Sequence, residues 1–361
     1  MNPSFGRLMA AATRLTRTGN LQAATAAIQA ALARAKAPAQ RPAFAAGKET
    51  GVIDIQAREL ADGHAPATAP PPPAGQPRPQ AGEFTDGSYS DASGTRAYKL
   101  YSPPACSGKA LPLVVMLHGC TQHPDDFAAG TGMNDAALAH GYFVLYPAQA
   151  QRANPSRCWN WFKHNHQQRG RGEPALLAAM TRSVIERCPI DPQRVYVAGL
   201  SAGGAMAAIL GDAYPELFAA VGVHSGLPTG SASDMTSAFA AMKGGAAARA
   251  ASTHSGPPTI VFHGDQDGTV HPVNGERVAS AGSDRTVALT ERFDDTNGRA
   301  STRHIYRDRE GRVVAEHWIV HGAGHAWSGG SRRGSYADSQ GPDATREMLR
   351  FFAAHGRVMS S

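Results

Sequence analysis

From about residue 82 onward, short uninterrupted apolar runs alternate with longer stretches in which apolar residues recur every three or four positions. The plainest run is LPLVVML at 111–117. Others lie at 142–146, 194–198 (RVYVA), 219–223, 259–262 and 317–320, with a more polar one at 96–101. An apolar run without alternation predicts a strand buried on both faces, because a wet face would put polar residues at every second position. Helical spacing fills the intervals at 133–140, 173–187, 202–212, 272–281 and 345–354. Strands and helices in this order predict a mainly parallel sheet covered by helices on both faces, an α/β architecture. No internal repeat is present.

The first 82 residues read differently. Leu8, Ala12 and Leu15, then Leu21, Ala24, Ile28 and Leu32, follow helical spacing with a break at Gly19-Asn20. This predicts an amphipathic helical arm over 1–36. Residues 37–82 contain Pro38, Pro42, Pro66, Pro70 to Pro73, Pro77 and Pro79 with few aromatics. Such a stretch cannot bury enough apolar surface to order itself, so a disordered linker is expected before a folded domain at 83–361.

Charge sharpens the division. The 361-residue chain carries a net +6, and residues 1–80 hold nine Lys/Arg against four acids, an excess of five that leaves about one for the rest. No basic cluster is interleaved with aromatics, which argues against a nucleic-acid partner. A basic amphipathic arm can instead lie on an anionic membrane or inclusion surface, or dock on the folded domain. No run approaches the roughly 18 apolar residues of a spanning helix. The basic start lacks the roughly 7–15-residue apolar core of a secretory signal. Four cysteines (Cys106, Cys120, Cys158, Cys188) permit three pairings that sequence does not choose among. Oligomeric state is not readable.

Candidate chemistry concentrates in Gly199-Leu200-Ser201-Ala202-Gly203, a G-x-S-x-G motif. It follows the apolar strand ending at Val197-Ala198 and opens a small-residue helical stretch, Ala205 to Leu210. Strand, sharp turn and helix in that order raise a serine above a sheet as a nucleophile. The two glycines relieve crowding in the turn, and the helix N-terminus favours developing negative charge. Acyl transfer also needs backbone N–H groups aimed at the oxyanion. Ala202, directly after Ser201, is one candidate. The other lies in His118-Gly119-Cys120-Thr121-Gln122, after the strand at 111–117, with the Cys120 amide favoured over that of Thr121. His118 is expected to brace this loop without transferring protons.

The partners of such a serine follow as acid and then histidine. After the run at 259–262 stands HGDQDGTVHP, offering Asp265 and Asp267. Asp267 is favoured because Val270 and Pro272 lead into a helix that anchors the loop, which leaves Asp265 as a turn residue or cap. After the last strand stands GAGHAW, whose His325 is the expected general base, with His317, His321, His224, His263 and His271 as alternatives. In this assignment Asp267 fixes the tautomer of His325, which takes the proton of Ser201. The segment Cys158-Trp159-Asn160-Trp161-Phe162 is either core filler or the rim of a substrate cleft, and Trp327 lies two residues from His325. Trp159, Trp161 and Trp327 are therefore candidate substrate contacts. The histidines show no H-x₃-H pattern with suitable carboxylates, so neither a metal nor an organic cofactor is expected.

HGCTQ, CWNWF, RVYVAGLSAGGAMA, HGDQDGTVHP and GAGHAW, in this order over roughly 83–355, resemble the polyhydroxybutyrate depolymerase family of esterases. Feruloyl and acetylxylan esterases share much of the pattern. The resemblance implies the α/β-hydrolase fold, with Ser201, Asp267 and His325 as nucleophile, acid and base. It also implies that Cys120 and Cys158 lie close enough to bridge. The expected substrate is a carboxylic ester: short 3-hydroxyacyl esters or oligomers, with plant polysaccharide esters, or transfer to an acceptor other than water, as the alternatives. Secreted members of the family carry a signal peptide and a polymer-binding module. The chain reads instead as a catalytic domain behind a basic arm, which makes soluble oligomers or amorphous polymer better substrates than crystalline polymer. The family thus points to an extracellular location and the missing signal to a cytoplasmic one.

Overall fold

The computed structural model describes residues 81–91, 94–104, 109–245, 256–282, 285–294 and 298–357. The arm expected at 1–36 lies outside the described residues, as does the linker expected at 37–82 apart from Ala81 and Gly82.

In chain order the larger elements are β1 (Glu83–Asp91), β2 (Gly94–Ser102), β3 (Leu111–Leu117), α1 (Pro124–Thr131), α2 (Met133–His140), β4 (Phe143–Pro147), α3 (Gly172–Arg187) and β5 (Ile190–Leu200). They continue with α4 (Ala202–Ala213), β6 (Ala220–His224), α5 (Met235–Met242), β7 (Thr259–Gly264), α6 (Val273–Ala279), β8 (Thr286–Phe293), β9 (Ser301–Arg307) and β10 (Val313–Val320). A two-residue pair, β11 (Trp327–Ser328) with β12 (Ala337–Asp338), and α7 (Ala344–Ala353) complete them.

Ten strands form one sheet in the order β1-β2-β4-β3-β5-β6-β7-β10-β9-β8. The six central strands, β4, β3, β5, β6, β7 and β10, are parallel to one another, while β1 and β2 on one flank and β8 and β9 on the other pair antiparallel. This is the α/β-hydrolase architecture. Every apolar run read from the sequence is a strand of this sheet. Three sheet strands, β1, β8 and β9, and the short helices α1 and α5 were not anticipated. The two outermost strands expose most residues; β8 is exposed at seven of eight positions. An edge strand leaves no burial signature in its sequence.

Side chains of the central strands alternate between two cores. Leu113, Val115 and Leu117 of β3, Val195 and Val197 of β5, and Val221 and Val223 of β6 face the core built with Leu177, Met180 and Val184 of α3 and Met206 and Ile209 of α4. Val114, Met116, Tyr196, Ala198, Ile260 and Phe262 face the other, against Phe127 of α1, Met133 and Ala137 of α2, and Met348, Leu349, Phe351 and Phe352 of α7. The Tyr196 and Phe352 rings stack with centroids 4.8 Å apart. Each fully buried apolar side chain of this size is worth about 1.5–3 kcal/mol, which is why the double-sided strands define the fold.

The chain leaves β3 for β4 on one side, then crosses to β5 on the other, so the order reverses between β3 and β5. In open α/β sheets the crevice outside the carboxyl ends of strands at such a reversal is where ligands bind. The loops that begin at His118 and Ser201 flank that crevice.

Candidate active site

Ser201 joins β5 to α4 with φ 58° and ψ −118°, a conformation that costs an L-residue about 1–3 kcal/mol and persists only where its surroundings dictate it. The surroundings are close. A Cβ on Gly203 would stand 2.0 Å from the Leu117 carbonyl oxygen, and one on Gly199 would stand 2.4 Å from the Gly203 carbonyl. Only glycine at both positions lets α4 begin so near β3. The Ser201 amide donates to the His224 carbonyl at 2.8 Å, tying the turn to the end of β6.

Facing it is the loop after β3; a Cβ on Gly119 would lie 3.7 Å from Ser201 Cβ. The loop's amides are individually accounted for. Gly119 N donates to Gln122 Oε1 at 2.9 Å, and Thr121 N donates to the Ser156 carbonyl at 2.7 Å. Among the described residues the Cys120 amide has no acceptor, and neither does that of Ala202 at the first position of α4. With Thr121 N engaged, Cys120 N is the available donor of the two considered from sequence.

The direction of the Cys120 N–H is set by His118. The Gln149 amide donates to His118 Nε2 at 3.1 Å, so that nitrogen is the bare one and Nδ1–H donates to the Gly119 carbonyl at 2.8 Å. In a trans peptide the Cys120 N–H points opposite to the carbonyl so held. Burial, opposed by the Gly119 bond, lowers the His118 pKa to about 4, which keeps the ring neutral. Cys120 is also joined by a disulfide to Cys158. Cys188 is a free thiol, and Cys106 lies outside the described residues.

Behind this loop lies a polar cluster that the sequence did not signal. Glu173, 2% exposed, accepts from Gln149 Nε2 at 2.5 Å, Asn160 N at 2.7 Å and Asn160 Nδ2 at 2.7 Å. Gln149 Nε2 also donates to the Cys158 carbonyl at 2.9 Å. Burial would raise the Glu173 carboxyl, but the Gln149 and Asn160 donors hold it below its ordinary value. The ionised carboxylate thus organises the 149–160 segment that carries the partner of the disulfide.

Asp267 and His325, 58 residues apart, meet after β7 and β10: His325 Nδ1 lies 2.7 Å from Asp267 Oδ2. The carboxylate only accepts, so Nδ1 carries the proton and a neutral ring presents Nε2 as a base. Asp267 Oδ1 accepts from Thr269 N and Val270 N, both at 2.9 Å. Burial would raise the Asp267 carboxyl, yet hydrogen bonds from His263 and His325, the His325 charge and the Val270 amide hold it well below the carboxylate range. No hydrogen bond joins the Ser201 hydroxyl to His325 among the described residues.

Asp265 is more than the turn residue or cap expected. It accepts from Gly322 N at 2.7 Å and pairs with His321 Nδ1 at 3.0 Å, fastening the acid loop to the histidine loop. Of the other histidines, His224 accepts from Ser328 N at 2.9 Å and, like His317, is buried and neutral with a pKa near 3; desolvation is the main cause in both. His271 lies at the solvent-exposed start of α6. His263 touches Asp267 and is considered below.

Of the two readings left open for the tryptophans, core filler or cleft rim, the burial of their rings matches the first. Trp159, Trp161 and Trp327 are 0%, 5% and 1% exposed. Trp159 Nε1 donates to the His118 carbonyl at 3.1 Å and Trp327 Nε1 to Thr345 Oγ1 at 3.0 Å, while the Trp161 ring packs edge-on against Phe162. Their size and closeness to the motifs suggested a cleft rim; core packing has claimed their faces instead. Among the described residues no group of three or more His, Cys, Asp or Glu is arranged to hold a metal ion.

Comparison with known proteins agrees with this architecture. Residues 96–308 match the family model described as esterase PHB depolymerase, a match that ends before His325. Poly(3-hydroxyalkanoate) depolymerase C of Paucimonas lemoignei is 35% identical over 227 residues, 59% of this chain and 54% of that protein. A probable acetylxylan esterase A of Aspergillus fumigatus is 30% identical over 207 residues, 51% of this chain and 53% of that protein. The chain spans about half the length of the curated relatives it matches. Among solved structures, acetyl xylan esterase from Aspergillus awamori is similar in fold, with TM-score 0.59 at 19% identity, covering 74% of this chain and 99% of that one.

Proposed function

The chain belongs to the esterase PHB depolymerase family, and from that membership we propose that it hydrolyses carboxylic esters through an acyl-enzyme on Ser201. One observation carries the reading: an imidazole whose Nδ1 is held at 2.7 Å by a buried carboxylate, on the same sheet edge as the serine elbow. Substrate closes Ser201 Oγ to about 2.6–3.2 Å from His325 Nε2, the reach needed for proton transfer. His325 takes the hydroxyl proton as Oγ attacks the carbonyl carbon, and the charge on the carbonyl oxygen is received by the N–H groups of Cys120 and Ala202. Asp267, ionised throughout, stabilises the imidazolium. The imidazolium protonates the leaving alcohol, and water repeats the sequence to free the acid.

The substrates proposed are short 3-hydroxyacyl esters and their oligomers, after the depolymerase relative. The acetylxylan esterase relative supports a second reading, deacetylation of a polysaccharide, with the same triad. Hydrolysis of p-nitrophenyl acetate, butyrate and octanoate by wild type and Ser201→Ala tests the chemistry, and 3-hydroxybutyrate oligomers against acetylated xylan test the substrate. Replacing the nucleophile should lower kcat by about 10⁴–10⁶. A Ser201→Ala variant with wild-type activity would remove the whole assignment.

A further inference from the structure

His263 has no part in the reaction as proposed, yet its ring lies against the acid. It occupies the penultimate position of β7, with Nε2 2.9 Å from the Val270 carbonyl and 3.4 Å from Asp267 Oδ2. The side chains of His263 and Asp267 are 1% and 0% exposed. A carbonyl oxygen only accepts, so Nε2 carries the proton, and the same nitrogen lies 3.4 Å from the carboxylate oxygen that bonds His325. Nδ1 is buried without a partner. Helix α6 closes over that edge, for a Cβ on Gly275 would stand 2.7 Å from Nδ1.

We propose that His263 is a positioning residue for the acid, a second imidazole donor on Asp267 Oδ2 that fixes the carboxylate's rotation and shares the oxygen with His325. The proposal rests on the assignment of Asp267 and His325 as acid and base. Two consequences follow and are separable. With two amides and His325 hydrogen-bonded to the carboxylate and the His263 N–H nitrogen 3.4 Å from Oδ2, the carboxylate cannot turn without losing these contacts, so loss of His263 loosens the acid and lowers kcat. An oxygen shared between two donors stabilises the His325 imidazolium less than one left to His325 alone. Loss of His263 therefore also moves the acid limb of the kcat/KM profile upward in pH.

The titratable neighbours do not confuse this readout. His224 at the end of β6 and His317 on β10 both stay neutral, with pKa values near 3. From α6, Gly275 meets the ring, while Glu276 is exposed and Arg277 donates to the Gly244 carbonyl.

The test is the pH profile, from 5 to 9, of p-nitrophenyl butyrate hydrolysis by wild type, His263→Ala, His263→Gln and His263→Asn. Ser201→Ala is the control, and urea midpoints are measured on each. A glutamine amide reaches the place of ring Nε2 and can donate to the same two acceptors; an asparagine amide stops at the Nδ1 side. His263→Ala should lose roughly 10- to 100-fold in kcat, less than the about 10⁴ seen when a triad acid is changed to its amide. KM should hold, and the acid limb should rise. Glutamine should recover kcat and return the limb, and asparagine should do neither. An unmoved limb in folded His263→Ala overturns the proposal. Equal recovery by asparagine and glutamine also overturns it, and this pair decides the matter if the alanine variant does not fold. If Ser201→Ala is as active as wild type, the triad assignment falls and takes this proposal with it. If Ser201→Ala is dead while the limb stays put, the role of His263 alone is lost.

Discussion

Cys120 couples stability to chemistry, because the residue whose amide is the proposed oxyanion donor is also anchored by a disulfide to Cys158, 38 positions away. Replacing both cysteines by serine leaves neither partner of the bridge as an unpaired thiol and reopens that loop in the unfolded chain. A closed loop of this length removes about 13 cal/mol/K of chain entropy, or about 4 kcal/mol at 25 °C. With a urea m-value of about 3 kcal/mol per M, suited to a domain of this size, the midpoint should fall by about 1.3 M. In the folded state the loop keeps its other restraints: Gly119 N on Gln122, Thr121 N on the Ser156 carbonyl, and His118 on the Gly119 carbonyl. The Cys120 N–H is thus loosened but retained. The expected loss in kcat is about 10-fold, below the about 10²–10³ of deleting an oxyanion donor outright. Urea unfolding followed by tryptophan fluorescence and steady-state p-nitrophenyl butyrate kinetics read the two effects separately, and wild type under reductant should behave as the double variant. An unmoved urea midpoint would refute the loop-closure reasoning. Full kcat in a destabilised variant would show that the disulfide does not serve the Cys120 amide.

Three further outcomes are expected. Gly203→Ala puts a Cβ 2.0 Å from the Leu117 oxygen, so a 3.4 Å contact requires α4 to retreat about 1.4 Å from β3; this should cost about 3 kcal/mol or more, and a wild-type urea midpoint would contradict it. Trp159→Phe and Trp327→Phe each lose a buried indole hydrogen bond and should lower stability by about 1–3 kcal/mol with KM unchanged; a raised KM at full stability would return these residues to the substrate. His118, His224 and His317 have pKa values near 4, 3 and 3 in the fold against about 6.5 unfolded. Between those values the unfolded chain binds the extra protons, so stability falls as pH drops from about 6.5 towards 4, with a slope approaching about 4 kcal/mol per pH unit. The depressed carboxylates Asp267 and Glu173 add their losses only below about pH 4, since each contributes stability above its unfolded pKa. Equal urea midpoints at pH 7 and 5 would show that the three rings are not buried neutral.

What the sequence determined by itself was local or periodic. Two-sided strands such as 111–117 and 194–198 are legible because each residue must be apolar whatever its neighbours turn out to be. The serine elbow is legible because its glycines stand at fixed positions beside Ser201, wherever the chain goes next. Strands at the edge, β1 and β8, were missed since exposure on both faces imposes no pattern. For the three tryptophans the sequence left core and cleft open, because size and nearness to a motif do not say which face of a loop meets the core. Which amide is left without an acceptor, which of two aspartates meets His325, and where a buried Glu173 finds its donors are relations between segments tens of residues apart. Tertiary structure alone decided them, because a hydrogen bond within 3 Å depends on how strands from distant parts of the chain register in one sheet, and no local pattern encodes that register.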